Sequence, residues 1–542
     1  MTSLRSLTAM IVEPHSGMRA SMHNMLNLCG ITKIDHAVSS GTAIRPLKGK
    51  SYDLILCEYD LGDGQDGQQL LEDLRHNKLI PLWTVFIIVT AERAYEKVVS
   101  AAELAPTDYI LKPFTADTLM DRIARAIEKR TAFLPAYHLM EHGNLVDAID
   151  ICRIGEGKYP RWAIDFMRLR AELHVILGEA AEAEKIYQEL LQTKAVAWAR
   201  LGLAKTLFMQ GEFGEAEALL QTLVEENSRY MDAYDWLAKT HEAQDQLPQA
   251  KEVLAGAVVI SPHAVRRLRK LGDVALETGD VETAEKSFQK VVTKAKYSEF
   301  RDPEDHVRLV RTLVKKGDTQ QASSVIRDME KSLGNLEKTP ACRALSSALV
   351  QKELGNDEKA AEELNAAVAA CRDAVGISND LKMELARNCL AQALDNGAAE
   401  VMRDVMSNAS DDAALAKAMS VFEKAGKKEL AETVAKESRR HVVDLVSSGA
   451  EKARQGDYQG AVQLMTAAVH KLPQNPQVVF NAAVAVLKYL ENVGWEGKLG
   501  DQVRGYIEAA RRLDPNNPRL VPLSDLYKSI LKKYGIKPPG AE

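Results

Sequence analysis

From the start of the chain to Arg130, short apolar runs alternate with segments whose apolar positions recur at helical spacing. Leu7 to Val12, Tyr52 to Cys57, Val85 to Val89 and Tyr109 to Leu111 read as buried strands, with Ile34 to Val38 as one more. Gly17 to Leu28, Gln68 to Arg75, Ala94 to Glu103 and Thr115 to Lys129 read as amphipathic helices between or after them. Alternation of this kind predicts an α/β doubly wound domain, a parallel sheet with helices on both faces. One strand ends abruptly in acids, at Glu58 and Asp60. Open sheets hold their ligands at that edge, so Glu58 is the first candidate for chemistry. From residue 131 to the end the pattern is helical throughout and predicts an all-α region.

The helical part repeats a short phrase, a glycine or substitute with an alanine five positions later. It occurs at Gly143…Ala148, Gly178…Ala183, Gly211…Ala216, Asp245…Ala250, Gly279…Ala284, Gly317…Ala322 and Gly355…Ala360. The period is roughly 34 at first and lengthens slightly toward Gly355. This resembles tetratricopeptide repeats, each a pair of antiparallel helices stacked into a solenoid. The glycine ends the first helix where φ > 0 is needed. The alanine lets the two helices approach, and Tyr187, Leu220, Leu254 and Phe288 are expected to fill the space between units. Pro160, Pro262 and Pro473 stand at one common offset from Gly143, Asp245 and Gly456, where the second helix should stop. Past Gly355 the register loosens. Gly397 and Gly426 are expected to mark two divergent repeats between about 370 and 440, before Gly456…Ala461 restores the match. The step from Pro476 to Pro518 exceeds the period. The excess, around 491–500, is expected as an insertion at a helix–helix turn, with Trp495 exposed there as a contact candidate. Ser524 to Tyr534 reads as a capping helix and 537–540 as a disordered tail.

The segment ending at Arg130 carries five landmarks in order, and together they resemble the bacterial response-regulator receiver domain, of flavodoxin-like fold. Glu13-Pro14 stands where that family usually has two adjacent acids, and Glu58 where it has its phosphoacceptor aspartate. Asp66-Gly67 follows one position later than usual. Thr90-Ala91 matches the switch hydroxyl and its small neighbour, and Tyr109 to Pro113 the switch aromatic and the lysine, Lys112, before a usually cis proline. The resemblance implies a site where Mg²⁺ held by acids, a lysine and a hydroxyl stabilise an acyl phosphate. Lys112 and Thr90 are kept, whereas the acidic half is depleted: Pro14 has no carboxylate, and Glu58 reaches about one bond further than aspartate. Two readings of Glu58 stay open. In one, the pocket of Glu13, Pro14, Glu58 and Asp60 is degenerate, Glu58 pairs permanently with Lys112, and no cofactor is needed. In the other, Glu58 or Asp60 still accepts a phosphoryl group, with Mg²⁺ near Glu13 and Glu58. The loop from Gly62 to Gly67 formally fits GxGxxG, but the receiver pattern already accounts for it, and no other nucleotide or hydrolase motif is present.

The bulk figures narrow the function further. Through Arg130 there are 15 basic and 16 acidic residues, and the whole chain carries −6, so no field of the kind phosphate backbones require is expected. No stretch is long and apolar enough to span a membrane. The six cysteines show no metal or disulfide spacing and fit reduced thiols in a cytoplasmic protein. Arg266, Arg267, Arg269 and Lys270 form a basic cluster that is either a solvated helix face or a contact for an acidic partner. Lys436, Arg439, Arg440 and His441 invite the same two readings, and Trp162, Trp198 and Trp236 are expected to pack between repeats. The expected organisation is a receiver-like domain over 1–130, a solenoid over 131–518 and a capping helix and tail over 519–542. The expected function is a non-enzymatic bacterial signalling adaptor that binds proteins through its repeats. Receivers could pair through the surface of Ala94–Glu103, Tyr109–Leu111 and Thr115–Lys129. The alternative is a phosphorylation-switched response regulator whose receiver controls that binding.

Overall fold

A computed structural model describes residues 4–62, 66–91, 106–141, 143–193, 196–228, 230–262, 264–295, 301–374, 376–515 and 517–536. The first part is a five-stranded, wholly parallel sheet: β1 (Thr8–Val12), β2 (Lys33–Ala37), β3 (Leu54–Glu58), β4 (Val85–Thr90) and β5 (Asp108–Leu111), in the order β2-β1-β3-β4-β5. Helices α1 (Ser16–Leu28), α2 (Ser40–Leu47), α3 (Gly67–His76) and α4 (Ala116–Glu141) accompany it. Because side chains alternate across a strand, the sheet feeds two cores. Met10, Ile55, Cys57, Phe86 and Ile88 face α2 and α3. Ile11, Leu54, Leu56, Ile87 and Val89 face α1 and α4. The expected helix over Ala94–Glu103 and the 537–540 tail lie outside the described residues.

Helix α4 does not end near residue 130, where the sequence pattern suggests a domain boundary. It runs on to Glu141 and serves two bodies with one amphipathic face. Leu119, Ile123 and Ile127 pack on the sheet, and Ala132, Phe133, Ala136 and Leu139 are buried further along. Phe133 stacks on Phe166 at 3.8 Å between ring centroids, while Lys129 and Arg161 pair with Asp165 and Glu128. The far end is anchored on the receiver side as well: Trp83 stacks on His138, and Leu82 N–H donates to Glu141 at 2.9 Å. The chain divides into two compact units, one of 1–141 with 146–301 and the other of 142–145 with 302–542.

The remainder is helical, and the phrase read from the sequence is its joint. Gly143, Gly178, Gly211, Asp245, Gly279, Gly317, Gly355, Gly426 and Gly456 all have φ between 60° and 85°. The alanine five positions after each is fully buried. Pro160, Pro262 and Pro473 follow helices ending at Lys158, Ile260 and Lys471.

Three expectations are corrected. Gly397 lies inside the helix Asp395–Ser407, and the turn residue is Ala393, at φ 56°, with the buried Ala398 five positions on. The joint persists there without its glycine. Next, Lys428–Arg454 is one uninterrupted helix of 27 residues, spanning what would be the second helix of one repeat and the first of the next. Finally, the extra residues near 491–500 are not looped out. Pro476–Asn492 and Gly497–Leu513 are each 17 residues long, against 14 for the preceding Tyr458–Lys471, so much of the excess is absorbed as added helix. Trp495 is half-buried, its ring against Gly500 and tilted onto Tyr534, rather than exposed.

Close ring-to-backbone contacts set the packing, and two glycines separate it from propensity. A Cβ on Gly202 would overlap the Tyr187 ring, whereas one on Gly256 would meet nothing within 4 Å. We expect Gly202→Ala to destabilise by about 1–3 kcal/mol through overpacking. Gly256→Ala should stabilise by about 0.5–1 kcal/mol through helix propensity. Thermal denaturation of the full chain checks both signs.

Candidate functional site

The C-terminal ends of β1, β3, β4 and β5 bring Glu13, Glu58, Thr90 and Lys112 together. Register does most of this: Val12 is opposite Cys57, Glu58 opposite Val89, and Thr90 opposite Leu111. The Lys112 N–H donates to the Thr90 carbonyl at 2.8 Å, and the Lys112–Pro113 bond is cis. The Lys112 ammonium then reaches across the edge and donates to two carboxylates at once. It bonds Glu13 Oε2 at 2.8 Å and also Glu58 Oε2. The second oxygens are used locally: Glu13 Oε1 accepts from His15 N–H at 2.9 Å, and Glu58 Oε1 from Asp60 N–H at 3.2 Å.

All three charged groups are shielded. Glu13 is fully buried, Glu58 nearly so, and the Lys112 side chain is 12% exposed. Burial pushes the Lys112 ammonium down, but its bonds to Glu13 and Glu58 outweigh that and raise it above the ordinary lysine value. One cation serving two acids leaves one net negative charge, spread over donors from the lysine and two backbone amides.

The other landmarks take supporting positions. Thr90 is buried at the end of β4, and the half-buried Tyr109 packs against the core on the α2–α3 side. Pro14 is half-buried and offers only its carbonyl, which accepts from Arg19 at 3.1 Å. Asp60 is exposed and accepts the Gly62 N–H at 3.0 Å. Asp66 caps α3, accepting from the Gln68 and Gln69 amides, while Gln69 accepts back from Asp66. Gly67 lies against the Glu58 carbonyl, and a Cβ there would collide with it. The Asp-Gly pair is therefore explained by a cap and a close approach.

Outside the receiver, the basic cluster is largely engaged within the chain. Arg267 is buried and bidentate to Asp235 at 2.8 and 2.9 Å, and Lys270 pairs with Glu242 at 2.6 Å. Arg269 is half-buried with an interaction of its own. Arg266 is exposed, and its charge reaches Glu72 of α3. No motif or spacing singles out Glu72 in the sequence. Burial foremost, then Asp66 and Asp73, push its carboxyl up to about 7, against a Gln68 hydrogen bond and Arg266. Of the surface expected to pair receivers, Leu111 and Met120 are exposed, and its far end at Lys129 is tied to Asp165. Among the described residues no three His, Cys, Asp or Glu side chains gather as a metal-ligand group, and no helix is long and apolar enough to cross a membrane.

Two measurements test this electrostatic picture. Lys112→Met strands two buried carboxylates and should cost about 3–5 kcal/mol, read as faster hydrogen exchange in β3 and β5. A raised lysine stabilises fully below its unfolded value and loses that contribution only above it. The lysine's own contribution to the natural chain's stability should therefore be constant from pH 6 to 9. Glu72 has the opposite practical window. A carboxyl raised to about 7 is protonated in the folded state while the unfolded chain is already ionised, so stability falls as pH rises from 4.5 to 7. Glu72→Gln should remove that slope and gain about 1–3 kcal/mol at pH 8.

Comparison with known protein families agrees with the two kinds of fold described above. Residues 9–124 match the response regulator receiver domain family, and residues 174–239 match a tetratricopeptide repeat family. Chemotaxis protein CheY-3 of Vibrio cholerae serotype O1 is 29% identical over 125 residues, 23% of this chain and 95% of that protein. Chemotaxis protein CheY of Pseudomonas aeruginosa is 29% identical over 120 residues, 22% and 95% respectively. Among solved structures, a tetratricopeptide repeat protein from Parabacteroides merdae is 16% identical, covering 47% of this chain and 96% of its own, with a TM-score of 0.32. YrrB, a repeat protein described as having an unusual peptide-binding site, is 19% identical, covering 34% and 93%, with a TM-score of 0.29. The chain carries a response-regulator receiver domain at 9–124 and tetratricopeptide repeats at 174–239.

Proposed function

We propose that this protein is a non-enzymatic signalling adaptor, binding partner proteins through its repeats and carrying a receiver that is not phosphorylated. One observation carries the second half: Lys112 is shared by Glu13 and Glu58. In an intact receiver the lysine steadies an acyl phosphate. Here its ammonium is already matched by two carboxylates, and a phosphoryl group would have to displace Glu58 from it. The donor set also fits Mg²⁺ poorly. That ion wants several hard oxygens in near-octahedral order. Glu13 and Glu58 each commit one oxygen to Lys112 and the other to an amide, and Pro14 supplies no carboxylate.

The remaining features support an adaptor that works in the cytoplasm. All six cysteines are buried and free, in keeping with a reducing compartment. The continuous helix α4 holds the receiver on the first repeat, so the receiver acts through its placement and exposed faces. Asp60 favours the second reading, a phosphorylation switch, because its exposed carboxylate sits two positions beyond Glu58.

Incubation of the full chain with acetyl phosphate and Mg²⁺, followed by intact-mass measurement, decides between them. The expected result is no gain in mass. A stoichiometric gain of one phosphoryl group, abolished by Glu58→Gln or Asp60→Asn, would establish the switch instead.

A further inference from the structure

One receiver helix is covered on a face that its sequence leaves polar. In α3, Leu70, Leu71 and Leu74 meet the sheet, and helical spacing turns Gln68, Gln69, Glu72, Asp73 and Arg75 away from it. Such a face belongs in water: α1, α2 and α4 expose Asn24, Arg45 and Asp121. From Gly67 to Arg75, however, no residue of α3 is exposed. Gln68 and Gln69 are buried, and Gln68 Oε1 has no hydrogen-bond partner among the described residues.

The charges that reach this face come from the repeat that turns at Gly279, in the same compact unit as the receiver. Arg266, in the first turn of helix Val265–Glu277, acts on Glu72 together with Asp66, Gln68 and Asp73 of the receiver's own segment. Asp66 in turn acts on Lys294, half-buried in the last turn of helix Val281–Ala295, with Lys290 beside it. At the far end of α3, Arg75 donates to the Pro81 and Thr84 carbonyls, in the field of Tyr137 and Glu141 of α4. Helix Val265–Glu277 begins with neither a side-chain cap nor an acid, so its amide end gains from nearby carboxylates. The apolar clusters on either side stay separate. That of Leu70, Leu71 and Leu74 holds receiver residues alone, and that of Leu268, Leu271 and Val291 repeat residues alone. Polar contacts without a shared apolar core are characteristic of interfaces that open and close.

We propose that α3 and the repeat turning at Gly279 form a reversible latch, which when shut hides the acid-bearing face of α3. The inference concerns the receiver's own placement and holds whatever the repeats bind. Helix α4 keeps the two domains joined, so opening frees α3 without detaching the receiver. Because α3 begins at Gly67, against the Glu58 carbonyl, the latch also holds the segment that follows the candidate site. Glu72 sets the pH range. Shut, its carboxyl is pushed up to about 7 by burial first and then by Asp66 and Asp73, against Gln68 and Arg266. Open, in water, it returns to the ordinary range. A carboxyl raised in the shut state favours shutting at low pH and loses that contribution as pH climbs through 7. Arg266 and Lys294 act at every pH in this range and are weakened by salt.

The test is hydrogen exchange of the full chain, read by mass spectrometry as protection factors for α3 and for β3. At pH 8, α3 should exchange by local opening, with protection at least about tenfold below that of β3. Between pH 6 and 8 its protection should fall about tenfold, and Glu72→Gln should remove that fall. Arg266→Ala with Lys294→Ala should lower α3 protection by about threefold or more, as should about 0.5 M sodium chloride on the natural chain. Lys270→Ala, one turn on from Arg266 and already paired with Glu242, should change it by less than about twofold. The latch is overturned if α3 is as protected as β3 at pH 8, because it then opens only with the whole domain. It is overturned also if α3 protection ignores pH, or if neither the double variant nor salt lowers it. Should the double variant fold poorly, seen as lost protection in β3, the salt response of the natural chain decides.

Discussion

The solenoid depends on one small contact made again and again. A residue with φ > 0 closes the turn between two helices, and an alanine five positions later is wholly buried against the neighbouring helix. A methyl group there lets the helices approach; a larger side chain would push them apart and misplace everything stacked beyond. Because the contact fixes phase, it also decides what else lines up. Lys205 and Lys239 both stand over the Trp236 ring because each lies six positions before such a turn.

Geometry, and not glycine as such, is what the turn demands. Asp245 and Ala393 hold the left-handed conformation at φ 60° and 56° without being glycine. Aspartate tolerates that region well enough for its repeat to be legible from the sequence. Alanine does not advertise it, so the glycine pattern points instead to Gly397, inside a helix. The strained position is carried by the buried Ala398 and by the pairing of Asn379–Ala391 with Asp395–Ser407 around it.

Legibility follows locality throughout. All five strands and the landmark residues can be read because apolar runs and motif spacing are local. Helix α2 leaves no clear pattern because Gly41 and Pro46 fall within its short span, while its Ser39–Thr42 capping box is small and polar. Helix α4 runs through the expected boundary at 130 because its helical period never resets, and it changes partners without changing pattern. Sharing of Lys112 between Glu13 and Glu58 joins groups 99 and 54 positions apart, so sequence can suggest the pair with Glu58 but not the triad. The basic cluster misleads for the same reason: the carboxylate that neutralises Arg267 is Asp235, on the preceding repeat.

The triad and the shared helix constrain each other. Lys112 follows β5, the strand immediately before α4, while Glu13 and Glu58 stand at the ends of β1 and β3; the ion pairs therefore tie three strand ends together where an intact receiver would rearrange. Breaking the buried triad exposes charge with no replacement partner, so the closed state carries a penalty against opening. Beyond it, α4 is held on one side by the sheet and on the other by Phe166 and Asp165. A domain clamped at its reactive edge and fused through a packed helix is suited to presenting fixed surfaces. Under the proposed reading, the variable element is then what the repeats and those surfaces bind.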